Sequence, residues 1–153
     1  MSELKDDKDL PADVPAARGL PPLHASTSAA VTNHVRVEVE SQYAPEQSQP
    51  FEQQWFFFYT VHITNEGQDT VQLRSRHWII TDATGHVEEV KGPGVIGEQP
   101  VLAPGESFQY TSGCPLPTST GVMRGTYQMT TADGVPFDIE VAPFALHEPY
   151  TVH

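Results

Sequence analysis

The chain has 153 residues, with 20 acidic against 8 basic side chains and a formal net charge of −12. A field of that sign repels a phosphate backbone, so direct nucleic-acid binding, which needs clustered lysine and arginine, is not expected. The 14 prolines and 11 glycines interrupt nearly every stretch long enough for a helix, and the length suits one β-rich domain plus a tail.

Residues 1–33 mix charge, proline and small side chains, as in "PAARGLPPLHASTSAA", without apolar periodicity. Such a segment buries too little surface to offset its ordering entropy and reads as a flexible Pro/Ala-rich tail, with the folded domain spanning 34–153. Strict alternation begins at Val35, where Val35, Val37 and Val39 share one side and Arg36, Glu38 and Glu40 the other, the pattern of a half-buried strand. Residues 43–51 carry two prolines among polar residues and read as a loop.

The stretch "QWFFFYTVHIT" is rich in aromatic and β-branched residues and predicts a central strand. One parity, Trp55, Phe57, Tyr59, Val61 and Ile63, is wholly apolar. Phe56 and Phe58 fall on the opposite face, apolar positions open to a partner. After the turn at Asn65-Glu66-Gly67, Val71, Leu73, Trp78 and Ile80 share a core face only if a β-bulge near Ser75-Arg76 shifts the register. Asp82 to Gly85 closes a hairpin into residues 86–90. Val101-Leu102, the Phe108/Tyr110 alternation, and two runs flanking Ala132-Asp133-Gly134 complete seven or eight strands. That count points to an all-β sandwich of two antiparallel sheets, of immunoglobulin or fibronectin type III kind, with a partly closed barrel as the alternative.

Between these strands Gly92-Pro93-Gly94-Val95-Ile96-Gly97 matches the spacing G-x-G-x-x-G of phosphate-binding loops. That chemistry needs a helix starting at the loop, so that its N-terminus meets the pyrophosphate. Pro100 and Pro104-Gly105 leave no room for one, and no Lys-Ser or Lys-Thr follows as in a P-loop. Glycines also permit positive φ and close strand approach. A weak anion contact through backbone amides beside Lys91 stays open.

The seven histidines show no ligand spacing, so no metal and no cofactor is expected. Cys114 stands alone, without a base or helix terminus to activate it, which makes it a buried side chain and points to a reducing, cytoplasmic setting. The longest mainly apolar run, 55–63, is too short for membrane insertion, and the acidic start lacks the features of a secretory signal. Arg74, Arg76 and Lys91 form a local positive patch. With His77, Trp78 and the glycine loop they could line a surface for an acidic or phosphorylated group, or simply pair with the surplus carboxylates.

The segments "RHWIITDATGHVEEVKGPGVIGEQPVLAPGESFQYTSG", "GVMRGTYQM" and "GVPFDIEVAPFAL" resemble the ApaG family from about Val35 to the C-terminus. The resemblance is carried by Trp78, the G-x-G-V-x-G-x-Q-P run, Pro104-Gly105-Glu106, Tyr110-x-Ser112-Gly113 and Gly125-x-Tyr127-x-Met129. It implies a fibronectin-type sandwich. ApaG-like domains in a eukaryotic F-box protein and in a partner of a DNA polymerase look like interaction modules. In bacteria the name is linked to cobalt resistance and magnesium efflux, and the gene often neighbours a diadenosine tetraphosphate hydrolase.

The expected function is therefore a non-enzymatic, cytoplasmic module that binds a protein partner through Phe56, Phe58 and the Gly92–Gly97 loop. The alternative is a small-ligand binder that recognises pyrophosphate or a nucleotide through Gly92, Gly94 and Gly97, with Lys91 and Arg76 supplying charge. A role in divalent-cation efflux rests on the family resemblance alone and would act through a separate transporter.

Overall fold

A computed structural model describes residues 25–149 as two antiparallel sheets packed face to face. The strands are β1 (Thr27–Thr32), β2 (Val35–Tyr43), β3 (Trp55–Asn65), β4 (Val71–Asp82), β5 (Val87–Pro93), β6 (Val101–Leu102), β7 (Ser107–Leu116), β8 (Thr120–Thr131) and β9 (Pro136–His147). One sheet has the order β1-β2-β3-β7; the other runs β5-β4-β8-β9, with β6 pairing β4. The loop before β3 holds two single-turn 3-10 helices, Pro45–Gln47 and Pro50–Glu52, each opened by a proline whose missing N–H costs nothing there.

The alternating residues behave as their period dictates. Val35, Val37 and Val39 meet Phe57, Tyr59, Val61 and Ile63 on the inner face of the first sheet. Leu73, Trp78, Ile80, Tyr127, Met129, Ile139, Val141 and Phe144 line the inner face of the second. Complete burial of each large apolar side chain contributes about 1.5–3 kcal/mol. At the centre, the Trp78 ring stands 5.4 Å from Tyr59, 5.9 Å from Tyr127 and 6.2 Å from Phe144, near-perpendicular to all three.

The strand β1 lies inside the segment that the sequence assigned to the tail, and the remaining tail, residues 1–24, lies outside the described residues. The small side chains of "TSAAVT" give no apolar alternation, so the pattern was silent there. What holds β1 is backbone pairing with β2 over its full length, together with the Ser28 hydroxyl donating to Ala142 O and the Thr32 hydroxyl accepting from Glu140 N–H. The β1–β2 turn is Asn33-His34 with φ of 48° and 66°, the left-handed pair of a two-residue hairpin.

The β-bulge falls in β4 at Arg74, where Leu73 pairs with Met129 and Ser75 pairs with the next residue back, Gln128. Arg74 and Ser75 consequently both face outward: the Arg74 Nε donates to Thr130 Oγ1 and the Ser75 hydroxyl to Gln128 Oε1. The shift restores Arg76, Trp78 and Ile80 to the inner row. A second irregularity, where β9 carries Pro143, similarly spares a proline from the ladder.

The sandwich closes along one side and stays open along the other. Between the sheets at β1 and β9, Ala145 N–H donates to Ala25 O and the Ser41 hydroxyl to Ala145 O. On the opposite side the two edge strands are β5 and β7, and two clefts open between them.

Candidate functional site

The glycine loop sits at this open side. The strand β5 continues through Lys91 and Gly92 to Pro93, beyond the residues 86–90 expected from the sequence, so the first glycine of the motif belongs to a strand. Val95 and Glu98 then pair in both directions, N–H to carbonyl at 2.8 Å each way, around a two-residue turn at Ile96 and Gly97 with φ of 41° and 80°. No helix begins at Glu98. Val95 is buried between the sheets as part of the core, which anchors the turn, while Ile96 is 55% exposed at its tip. A β-branched residue at positive φ is strained, and the anchored pairing on either side holds it there.

Each glycine has a steric reason. At Gly94, φ is +60° and a Cβ would stand 2.4 Å from the Glu98 carbonyl oxygen. At Gly97, φ is +80° in open space, the demand of the turn itself. At Gly92, a Cβ would meet the Arg76 guanidinium, 3.0 Å from Nη2 and 3.2 Å from both Cζ and Nη1, so the planar group lies flat on the bare strand. The loop amides are largely spent internally: Gly94 N–H donates to Arg74 O, Val95 N–H to Glu98 O and Glu98 N–H to Val95 O.

Arg76 is the centre of the site. Its inner-row position places it beside Tyr127 on β8 and Gly92 on β5, and its Nη1 donates to Pro93 O at 3.0 Å and Gly94 O at 2.9 Å. A cleft of about 380 Å³ lies against it, lined by Tyr59, Tyr110 and Ser112 from the first sheet and by Pro93, Val95, Ile96 and Gly97 from the second. Burial pushes the Tyr59 hydroxyl pKa up, with the Ser112 hydroxyl and the Arg76 charge acting in the opposite direction. Deeper in, the Tyr110 and Tyr127 hydroxyls bond to each other, and burial holds both well above the ordinary tyrosine range.

The expected positive patch is divided by the sheet. Arg74 and Lys91 are exposed on the outer face, where Lys91 is registered opposite His77 and the His77 imidazole meets Glu89 at 2.8 Å. Arg74, Ser75, His77, Lys91 and Gln128 line a shallow outer groove of about 460 Å³, which Arg76 also borders. Trp78, expected at the recognition surface, is only 3% exposed: the bulge turns its ring into the core, where it packs against Tyr59, Tyr127 and Phe144.

The aromatic pair lies elsewhere, on the outer face of the first sheet. Phe56 and Phe58 stack edge to face with centroids 5.3 Å apart, and Phe58 is 38% exposed. Phe56 lies across Gly113 on β7, where a Cβ would stand 2.3 Å from its Cζ; only a glycine lets the ring lie on the strand. Among the described residues, no three His, Cys, Asp or Glu side chains assemble a metal-binding group. Tyr59, Tyr110 and Ser112 were not singled out as site residues from the sequence. The usable signal was a serine on the buried parity of β7, between Tyr110 and Cys114.

The family model described as the ApaG domain (DUF525) matches residues 45–131. The chain belongs to the ApaG family. It is 58% identical over 120 residues to the protein ApaG of Rhodopseudomonas palustris strain TIE-1, an alignment covering 78% of this chain and 92% of that protein. The protein ApaG of Bordetella pertussis is 56% identical over 117 residues, covering 76% of this chain and 89% of the relative. Among solved structures, a crystal structure of an ApaA protein from Bordetella pertussis superposes with a TM-score of 0.73 at 51% identity, covering 85% of this chain and all of that one. The ApaG family membership and the two-sheet sandwich thus agree with what the sequence motifs implied.

Proposed function

We propose that this ApaG-family sandwich is a non-enzymatic cytoplasmic module that binds a protein partner. The observation that carries this reading is the Phe56–Phe58 pair, an edge-to-face aromatic patch on an outer sheet face that otherwise presents polar side chains such as Thr60, His62 and Thr64. Aromatic side chains bury large area at low entropic cost, which is why they anchor interfaces. The Gly92–Gly97 turn, with Ile96 exposed at its tip, supplies a second contact. A link to cobalt or magnesium resistance would then act through the bound partner. The alternative, a pyrophosphate or nucleotide gripped by the loop with Lys91 and Arg76, draws less support, because the Gly94, Val95 and Glu98 amides are already engaged.

Affinity capture from the native cell tests the reading quantitatively. Phe58→Lys should deplete specific partners at least about tenfold, since truncating a buried aromatic anchor costs 2 kcal/mol or more. Thr126→Lys, on the outer face of the other sheet, should leave them in place. Equal recovery with both variants would overturn the reading.

A further inference from the structure

The inter-sheet cleft carries a feature that a packed sandwich does not need: an arginine on the inner face. Arg76 is half-buried, yet among the described residues it forms no salt bridge to a carboxylate. Its two Nη1 protons are committed to Pro93 O and Gly94 O, which pins the guanidinium plane against Gly92. The Nε–H and the two Nη2 protons make no hydrogen bond among the described residues, and this edge is the one that matches a carboxylate bidentately. Opposite stand the Tyr59 ring and Ser112, paired directly across β3 and β7, while Pro93, Val95 and Ile96 give the cleft an apolar wall.

We propose that this cleft is a binding site for a monocarboxylate joined to a small apolar group, with the carboxylate held by Arg76 Nε and Nη2 and the apolar group against Val95, Ile96 and Tyr59. The proposal goes beyond the aromatic-face reading and does not depend on Phe56 or Phe58. A carboxylate fits better than a phosphate for two reasons. One planar fork with two free donor positions suits a planar oxyanion, whereas a phosphate draws on several backbone amides, and those of Gly94, Val95 and Glu98 are engaged. The net charge of −12 also opposes a dianion more than a monoanion. The same chemistry is offered by a free organic acid and by the C-terminal residue of another chain.

The test titrates the isotope-labelled full chain with hydrocinnamate, hydrocinnamamide and inorganic phosphate while following amide resonances and the Arg76 Nε–H signal. Hydrocinnamate should shift Ile96, Gly97, Ser112 and Arg76 at concentrations up to about 10 mM, a range that reports even weak binding. The amide and phosphate should not. Arg76→Gln should abolish the shifts and Arg76→Lys should weaken binding about tenfold, because an ammonium cannot reproduce the bidentate fork. Phe58→Lys should leave them unchanged. The acid-against-amide comparison needs no variant, so a poorly folding Arg76→Gln does not blunt it. A short peptide ending in phenylalanine, free or amidated, separates the sources: tighter binding by the free peptide than by hydrocinnamate assigns the site to a chain terminus, and weaker binding to a small acid. Equal binding of acid and amide, equal binding of phosphate, or no shift with hydrocinnamate would each overturn the proposal.

Discussion

The guanidinium of Arg76 lies flat against Gly92, with three of its atoms between 3.0 and 3.2 Å from the place a Cβ would occupy. The first glycine of the G-x-G-x-x-G run is therefore a seat for an arginine, and the three glycines should respond unequally to alanine. Gly92→Ala meets the end of a flexible side chain and should cost below about 1 kcal/mol while displacing Arg76. Gly94→Ala meets the Glu98 carbonyl at 2.4 Å with φ of +60° and should cost about 1–3 kcal/mol. Gly97→Ala, strained only by its φ, should fall between them at about 1 kcal/mol. Urea unfolding midpoints give the order.

The Tyr110 and Tyr127 hydroxyls are each other's hydrogen-bond partner in the buried core. Replacing either with phenylalanine strands the other hydroxyl, and each single variant should lose about 1–3 kcal/mol. The double variant strands nothing. Its loss should be smaller than the sum of the two by about 1 kcal/mol or more, which a double-mutant cycle measures. Strict additivity would show that the two hydroxyls do not depend on one another.

Cys114 is buried, and burial, with the Glu88 charge adding to it, raises the thiol from its ordinary 9.0 to about 12. A raised folded pKa means that the unfolded chain releases its proton first. The associated stability is intact below pH 9 and is lost as the pH climbs towards 12, by about 1.4 kcal/mol per pH unit for a single group. The buried tyrosines follow the same sign but begin only above their ordinary 10.0. The interval from pH 9 to 10 thus belongs to Cys114, and Cys114→Ala should flatten the decline in unfolding free energy there. The native thiol should also resist a disulfide reagent that modifies it readily in denaturant.

Asn65 is a buried polar side chain whose every group is used: Nδ2 donates to Asp69 O at 2.8 Å and Leu102 O at 3.0 Å, and Oδ1 accepts from Gly67 N–H at 2.9 Å. The isosteric Asn65→Asp turns those two donations into a carboxylate facing two carbonyl oxygens. It should lose about 3 kcal/mol or more at neutral pH, where a buried charge lacks compensation. Protonation restores one donor, and a buried, uncompensated carboxylate takes up its proton above the unfolded value of about 3.9, so the deficit relative to the parent should shrink as the pH falls from neutral and reach its minimum by about pH 4. Denaturation at both pH values checks the sign.

Period-two alternation was enough to reveal the strands at Val35, Trp55 and Pro136, the Asp133-Gly134 hairpin, and even the need for a bulge in β4, since only a register shift lets Leu73 and Trp78 share a face. The steric logic of Pro100 and Pro104 likewise ruled out a helix after the glycine run. Burial follows directly from side-chain period, so these features are local and were readable. The strand β1 was not, because its small residues carry no alternation and it exists through its backbone ladder to β2 and the cross-sheet bonds of Ser28 and Thr32. Nor could the positive patch be apportioned correctly. The bulge at Arg74 sends Arg74 outward to the face that Lys91 shares, Arg76 into the cleft and Trp78 into the core, so three residues close together in the chain face three environments. Composition and periodicity determined that two sheets form and which rows they bury; the meeting of Arg76, Tyr59 and Ser112 across the open edge was decided by sheet order and strand register, because contacts between strands distant in sequence exist only once both sheets have packed.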